Sequence, residues 1–203
     1  MENVFWNRVA LIYDGFVYII NRRVHKRLCE EVGKLISKDD DVLECACGTG
    51  MLTRVIGERC HHITATDLSR GMLNKTTYKC KDLRNAWFES ADICELPYPD
   101  ESFDKVVAAN VIHLLDDPVK AIKELDRVCK KGGMLLIPTY LNKVDKEKDS
   151  LFSRMVDKAG ADFKVQFDRF TYPLFFKELG YDDVDIIDIQ GTVPCGLAVI
   201  IKN

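Results

Sequence analysis

The chain has 203 residues, which is enough for one domain with a full hydrophobic core and too short for two typical domains. Its charge is nearly balanced, with 29 Lys and Arg against 32 Asp and Glu, so no overall positive field would attract nucleic acid, and a nucleic-acid partner is disfavoured. No apolar run reaches the ~20 residues that a membrane span needs, and the first residues lack the order of a signal peptide, so we expect a cytoplasmic protein without an integral membrane segment.

The first 37 residues carry a helical pattern. In "FVYIINRRVHKRLCEEVGKLI" apolar residues recur at spacings of three and four, which predicts an amphipathic helix. Gly15 interrupts the aromatic stretch before it, which indicates a shorter helix and a hinge-like connection, and this segment could cover a site. The basic run "NRRVHKR" is compatible with weak contact to an anionic membrane surface, but a solvated helix face is the favoured interpretation.

Strand-like and helix-like segments then alternate up to Tyr140. The predicted strands are "VLECA", "HITATD", "AWFESAD" ending near Asp92, "FDKVVAANVI" and "GMLLIPTY". Ser69 is the predicted N-cap of the second intervening helix. The last helix is predicted from "DDPVKAIKELDRVCKKGG", with two lysines in its final turn and Gly132 just beyond it. Such alternation is typical of a parallel sheet covered by helices on both faces.

The remaining residues have a different character. "NKVDKEKDSLFSRMVDKAG" leads into a predicted helix, and "PLFFKELGY" is a shorter one closed by Gly180. Two strand-like runs follow in "DVDIIDIQGTVPCGLAVIIKN", and their short connection requires them to be antiparallel. No linker-like stretch marks a domain boundary, so we predict a single domain.

A glycine-rich turn, "ACGTG", follows the first strand. In open parallel sheets the ligand lies at the carboxyl ends of the strands, and Gly48 and Gly50 would let it approach bare backbone beside a helix N-terminus. The stretch lacks a complete G-x-G-x-x-G and a Gly-Lys-Ser/Thr, so both phosphate-binding interpretations are weak. An isolated G-x-G is also compatible with a tight turn that serves only packing.

Two acidic residues end the next two predicted strands. Asp67 follows Gly50 by seventeen residues, near the spacing at which a carboxylate binds ribose hydroxyls. Asp92 could accept a hydrogen bond from an exocyclic amine. Either one alone is more often a solvated loop residue, but together with the glycine turn they predict a nucleoside ligand without a pyrophosphate.

Eight cysteines are scattered along the chain. None forms a C-x-x-C pair, and no histidine stands at metal-ligand spacing, so we predict reduced, mostly buried thiols and no metal site.

Several stretches resemble successive motifs of the class I S-adenosylmethionine-dependent methyltransferases, in the small-molecule branch that includes ubiquinone and menaquinone biosynthesis enzymes. They are "VLECACGTG", "TATDLSRGML", "SADICELPYPDESFDKVVAANVIHLLDDP" and "ELDRVCKKGGMLLI", within residues 41–140. The resemblance implies a Rossmann-like, doubly wound α/β fold with a seven-stranded, mostly parallel sheet and an antiparallel C-terminal strand. It also implies S-adenosylmethionine as cofactor and a small, partly apolar methyl acceptor.

On this basis residues 1–37 would form a helical cover, 38–140 the cofactor-binding core, and 141–203 the acceptor-side helices and closing strand pair. The cofactor-binding residues that the resemblance implies lie around the methionine part, the ribose and adenine, and the sulfonium. They are Tyr13, Glu44, Ala46, Cys47, Gly48, Gly50, Asp67, Leu68, Met72, Asp92, Ile93 and Asn110. Ala46 stands where the family often has glycine, so we expect a slightly repositioned loop.

His113 and Tyr13 are the candidate catalytic residues. The unperturbed pKa of histidine suits a general base, which is needed only if the acceptor arrives protonated; a backbone hydrogen bond is an equally weighted role for His113. Tyr13 resembles a tyrosine of the family's N-terminal cover that reaches the cofactor, and core packing is its alternative. Tyr140 is compatible with the acceptor pocket or with a surface position.

Alternative functions are protein or nucleic-acid methylation, cofactor binding without catalysis and nicotinamide-dependent oxidoreduction; the oligomeric state stays open.

Overall fold

The computed structural model describes residues 13–142 and 164–203, with side chains from Asn21 onward. In these ranges seven strands form one sheet in the order β3-β2-β1-β4-β5-β7-β6. Strands β1 to β5 pair in parallel, and β7 is antiparallel to both β5 and β6. The predicted fold class is confirmed. The strands are β1 Asp41–Cys45, β2 His62–Thr66, β3 Ala86–Glu89, β4 Phe103–Ala108, β5 Cys129–Tyr140, β6 Val184–Ile189 and β7 Cys195–Ile201.

Helices connect the strands. They are α1 Tyr13–Lys34, α2 Met51–Gly57, α3 Arg70–Lys79, α4 Pro118–Val128 and α5 Thr171–Glu178, with a short 3-10 helix at Ile112–Leu114. Ser69 caps α3 as predicted, because its hydroxyl accepts the Met72 N–H across 3.2 Å. Asp117 caps α4 in the same way through the Lys120 N–H at 2.9 Å. Gly180 follows α5 with a φ of 91°, as its position at the end of that helix predicted.

The sheet is buried on both faces. Leu43 and Val106 face α4 and α5, whereas their neighbours Val42 and Val107 face α1 and α2. This alternation follows from the two-residue period of a strand. It explains why the central strands are almost continuously apolar in sequence.

The expected break at Gly15 is wrong. The α1 backbone continues through Gly15, and the kink lies at Asn21, whose φ of −131° is not helical. A single glycine costs a helix only about 1 kcal/mol, so it does not by itself end one. Asn21 instead bonds another part of the chain: its side-chain amide donates to the Val193 carbonyl at 2.8 Å and its oxygen accepts the Val193 N–H at 3.3 Å.

The expected end of α4 is also wrong. The helix stops at Val128, and Lys130, Lys131 and Gly132 belong to β5. Lys130 forms an ion pair with Asp104 of β4 at 2.9 Å, which favours the strand over another helical turn. Two strands are also shorter than predicted. Strand β3 ends at Glu89, three residues before Asp92, and β4 ends at Ala108, two residues before Asn110.

The helix predicted in "NKVDKEKDSLFSRMVDKAG" lies outside the described residues, apart from its first position. Within the described ranges, no helix combines the length and the apolar character needed to cross a membrane.

Candidate active site

The candidate site lies at the carboxyl edge of the sheet, where β1 is flanked by β2 and β4. The last residue of β1, Cys45, pairs with Thr66 on one side and with Ala108 on the other. Because the strand ends are level, the segments that follow them meet at one edge. This is also the point where the strand order reverses, which is where open α/β sheets bind ligands.

The turn after β1 has left-handed backbone at alternate residues. Ala46, Gly48 and Gly50 have φ values of 53°, 56° and 84°. A Cβ on Gly48 would meet only the Ala46 carbonyl oxygen at 4.0 Å, so the space above Gly48 is open. A Cβ on Gly50 would lie 2.9 Å from the Thr76 methyl group, so Gly50 is required for packing against α3. The two glycines therefore have different roles.

Thr76 fastens this turn to α3. Its hydroxyl donates to the Gly48 carbonyl at 2.6 Å, and the Cys47 thiol donates to the Thr76 oxygen at 3.8 Å. Cys47 and Thr76 are both buried. Sequence reasoning missed Thr76; its position one helical turn from Met72, on the buried face of α3, was the available signal.

Glu44 is a carboxyl group buried beneath the turn, with 2 % of its surface exposed. The Thr53 hydroxyl of α2 donates to Glu44 Oε2 at 2.5 Å. Burial raises the pKa of Glu44 to about 8, against the opposing effect of the Thr53 hydrogen bond. The group is therefore ready to become a carboxylate when a cation lies beside it. Thr53 was also missed, because nothing local to α2 marks it as a partner of β1.

Asp67 joins the end of β2 to the turn. Its two carboxylate oxygens accept the Gly48 N–H at 2.9 Å and the Ser69 N–H at 2.8 Å. Burial raises the pKa of Asp67, and the two backbone hydrogen bonds oppose that rise. Asp67 thus orders the glycine turn, and each oxygen retains a further lone pair.

The side chains predicted to surround a nucleobase lie in different environments. Leu68 is an exposed apolar side chain, with 47 % of its surface accessible, whereas Met72 is buried. Asp92 is exposed, and its carboxylate accepts the Cys94 N–H at 2.8 Å. Ile93 is buried in the core beneath α4. Leu68 and Asp92 are thus the two that face solvent at this edge.

Asn110 follows β4 with a φ of 53°, a conformation that asparagine tolerates better than most residues. Its N–H donates to the Pro138 carbonyl of β5 at 2.8 Å. Its side-chain oxygen is buried and has no hydrogen-bond partner within the described part of the chain. A buried amide oxygen in that condition is suited to a ligand.

His113 lies in the 3-10 helix beyond Asn110. Its Nδ1 is 2.8 Å from the Thr139 hydroxyl, and the side chain is almost fully buried. Burial lowers the pKa of His113 to about 4, so the imidazole is neutral at physiological pH. The prediction that His113 acts as a general base depended on a pKa near physiological pH. The folded chain does not provide that pKa. Tyr13 begins α1, but its side chain lies outside the described residues.

The cysteines have the character of packing residues. Burial raises the pKa of Cys45 to about 12 and that of Cys47 well above its ordinary value, so both thiols are neutral. Among the described residues, no three His, Cys, Asp or Glu side chains are grouped as a metal site would need.

Comparison with known proteins agrees with this architecture. A family described as "Methyltransferase domain" matches residues 43–137. The ubiquinone/menaquinone biosynthesis C-methyltransferase UbiE of Bdellovibrio bacteriovorus is 34% identical over 146 residues, covering 68% of this chain and 60% of that protein. The demethylmenaquinone methyltransferase of Alkalihalophilus pseudofirmus is 26% identical over 212 residues, covering 90% of this chain and 88% of that protein.

The chain belongs to the class I S-adenosylmethionine-dependent methyltransferase family. It spans about 60% of the length of the first of these relatives. The YcgJ protein of Bacillus subtilis has the same fold, with a TM-score of 0.71, 16% identity, and coverage of 88% of this chain and 99% of that one. In the methyltransferase family the carboxyl edge described above is the place to seek the cofactor, since it is the switch point of the sheet.

Proposed function

We propose that this methyltransferase-family chain transfers a methyl group from S-adenosylmethionine to a small acceptor at the carboxyl edge of its sheet. One observation carries the proposal: a buried carboxyl group, an open glycine turn and an unpartnered amide oxygen occupy adjoining strand ends. They belong to Glu44, Gly48 and Asn110. A turn that served packing alone would not need a buried carboxyl or a bare amide oxygen beside it.

These residues fit the proposed cofactor in charge and shape. Glu44, once ionised, would hold the cationic ammonium group of the cofactor. The open space above Gly48 would let the methionine part of the cofactor lie against the bare backbone. Asp67 would use its remaining lone pairs for ribose hydroxyls. Leu68 is an exposed apolar side chain that adenine would cover, with Asp92 at the adenine edge. Asn110 would direct its free oxygen toward the sulfonium region.

When bound, S-adenosylmethionine supplies a methyl group on a positively charged sulfur, so the carbon is already activated. The contribution of this chain is then to fix the geometry and to exclude water. The hydrogen bonds that Asp67 and Thr76 make to Gly48 hold the turn in one conformation. His113, neutral and bound to Thr139, gives the neighbouring wall a polar group without charge.

For the acceptor we propose an aromatic quinol. The support is that two relatives are a ubiquinone/menaquinone biosynthesis C-methyltransferase and a demethylmenaquinone methyltransferase, together with the partly apolar acceptor expected of the small-molecule branch. Residues 1–37 and 141–203 would surround the acceptor, and 38–140 would bind the cofactor. The nearly balanced charge of the chain disfavours a nucleic-acid substrate.

Calorimetric titration tests the cofactor half of the proposal. S-adenosylmethionine and its demethylated product should bind, and NAD should not. Transfer of a labelled methyl group to metabolite extracts, with mass identification of the product, then tests catalysis. Binding without transfer in both polar and lipid fractions would favour a cofactor-binding scaffold, and binding of NAD alone would favour an oxidoreductase.

A further inference from the structure

Two carboxyl groups lie against the glycine turn, and they are held differently. Asp67 accepts two backbone N–H groups, those of Gly48 and Ser69. Glu44 accepts one side-chain hydrogen bond, from the Thr53 hydroxyl to Oε2 at 2.5 Å. Because neighbouring buried carboxylates repel each other, the one with more donors keeps the negative charge and the other keeps a proton. Asp67 is therefore the ionised member of the pair, and Glu44 is the protonated one.

No positive charge of the described residues balances this pair, since no Lys, Arg or His side chain forms an ion pair with Glu44 or Asp67. The other titratable groups near Glu44 are four thiols, and burial raises the pKa of each, so they are uncharged at physiological pH. They belong to Cys29 on α1, Cys45 and Cys47 at the end of β1, and Cys80 just after α3. A cation beside Glu44 has to come from the ligand.

The oxygen atoms left over at these strand ends also require a donor. No described side chain donates a hydrogen bond to the second carboxyl oxygen of Glu44, Oε1. Within the described residues the sealed, unpartnered side-chain atoms are His25 Nδ1 and Asn110 Oδ1, so Oε1 is not sealed from a ligand. Asn110 Oδ1, at the end of the neighbouring strand, is a second acceptor without a partner. The site thus offers acceptors to a ligand that carries N–H groups and positive charge.

Thr53 determines which Glu44 oxygen the ligand can use. Its side chain is fully buried on α2, and its hydroxyl occupies Oε2, which leaves Oε1 for the ligand. Burial raises the pKa of Glu44 to about 8, and the Thr53 hydrogen bond opposes that rise. A hydroxyl donates more strongly to a carboxylate than to a neutral carboxyl group, so Thr53 favours the ionised form.

We propose that Glu44 releases its proton to water when the ammonium group of the cofactor binds at Oε1, and that Thr53 is the positioning residue for this exchange. This inference rests on the proposed function. The carboxyl O–H bond breaks, the proton leaves to solvent, and an ammonium N–H becomes the new partner of Oε1. One positive charge enters the site as one leaves it, so Asp67 stays ionised throughout. The exchange requires a cofactor whose amino-acid end is intact.

The test counts protons during binding of S-adenosylhomocysteine to the whole chain. Calorimetry in two buffers of different ionisation enthalpy gives the number released per bound cofactor. With a Glu44 pKa of about 8, that number should be close to one at pH 7 and about one half at pH 8. Affinity should rise about tenfold per pH unit between pH 6 and 7.5. 5′-Methylthioadenosine, which lacks the amino-acid end, should bind without proton release.

Variants assign the proton to Glu44 and the adjustment to Thr53. Glu44→Gln should release no proton, and its affinity should be constant from pH 6 to 7.5. Thr53→Val should release nearly one proton at pH 8 and bind several-fold more weakly there, because Glu44 holds its proton more firmly. Thr53→Ser, which keeps the hydroxyl, should restore both values. Thr77→Val is the matched control: its exposed hydroxyl donates to the Leu73 carbonyl at 2.9 Å within α3, and it should change neither.

Binding of S-adenosylhomocysteine at pH 7 without proton release would overturn the inference, as would equal proton release in Glu44→Gln. A pH profile unchanged in Thr53→Val would remove Thr53 from the exchange. Failure of the unsubstituted protein to bind S-adenosylhomocysteine at all would instead contradict the proposed function. Should a variant not fold, the unsubstituted protein decides: proton release with S-adenosylhomocysteine and none with 5′-methylthioadenosine supports the exchange, and equal release with both would overturn it.

Discussion

Thr53 and Glu44 form a hydrogen bond of 2.5 Å in which a helix hydroxyl donates to a carboxyl buried under the glycine turn. Within the described residues no Lys, Arg or His forms an ion pair with Glu44, and the nearby Asp67 carboxylate further raises its pKa. The protonated form is therefore favoured in the folded, cofactor-free chain up to a pH of about 8. This relationship makes both stability and cofactor binding depend on pH.

Stability should fall as pH rises from about 4.5 to about 8 because of Glu44. In that window the folded chain binds more protons at this carboxyl than the unfolded chain does, so the free energy of unfolding decreases with pH. The full effect is on the order of 3 to 5 kcal/mol. Glu44→Gln keeps an acceptor for Thr53 and removes the charge. Urea denaturation between pH 5 and 9 should show Glu44→Gln losing this slope, and parallel slopes in both proteins would contradict the assignment.

Asp67→Ala should both loosen the turn and weaken cofactor binding. It leaves the Gly48 and Ser69 N–H groups without their acceptor, which costs about 1 to 3 kcal/mol of stability. Loss of the ribose contacts should lower affinity for S-adenosylhomocysteine by about tenfold or more. Calorimetry and thermal melts measure the two effects. Asp183→Ala, at an exposed loop carboxylate, is the control and should change neither. Unchanged affinity in Asp67→Ala would remove Asp67 from the cofactor site.

Much of this arrangement was predictable from the sequence. The alternation of apolar strands and capped helices predicts the parallel sheet, and Asp67 follows β2 within the same local pattern. The glycine turn is also local, since positive φ values at Gly48 and Gly50 need only the residues themselves. These features depend on neighbours a few residues apart.

The rest depends on contacts between distant segments. Thr53 meets Glu44 across nine residues, and His25 meets Tyr140 across 115 residues. No spacing rule connects such pairs. At the end of α4, Lys130, Lys131 and Gly132 match the usual helix-end pattern, but the ion pair of Lys130 with Asp104 and the sheet ladder determine the outcome. The local helix-end pattern was misleading here because Lys130 has a partner, Asp104, on the neighbouring strand.

Gly50→Ala should be considerably more destabilising than Gly180→Ala. Both glycines have a positive φ, of 84° and 91°, so alanine pays a similar backbone cost of about 1 to 2 kcal/mol at each. Only at Gly50 does the new methyl also meet Thr76, at 2.9 Å; nothing lies within 4 Å of it at Gly180. Denaturant midpoints of the two variants measure the difference. Equal losses would show that the turn yields to Thr76 without strain.

Ala46→Gly should stabilise the chain by about 0.5 to 1 kcal/mol, since Ala46 has a φ of 53° that glycine adopts without steric cost. The gain is reduced by the greater freedom of glycine in the unfolded chain. Ala65→Gly, within β2, is the matched control and should be destabilising. Chemical denaturation compares the three proteins. A destabilised Ala46→Gly would mean that the alanine methyl makes a contact that outweighs the strain.

His113 should act as a neutral hydrogen-bonding residue. Burial lowers its pKa to about 4, so between that pH and about 6.5 the unfolded chain binds the extra proton, and this contribution to stability is lost as pH falls through the window. Activity should accordingly show no inflection near pH 6.5 from His113. Because Nδ1 is held by the Thr139 hydroxyl, His113→Asn, which keeps a polar group, should retain more activity than His113→Ala. Steady-state kinetics from pH 5 to 8 distinguish the cases: an inflection near 6.5 that disappears in His113→Asn would restore His113 as a general base.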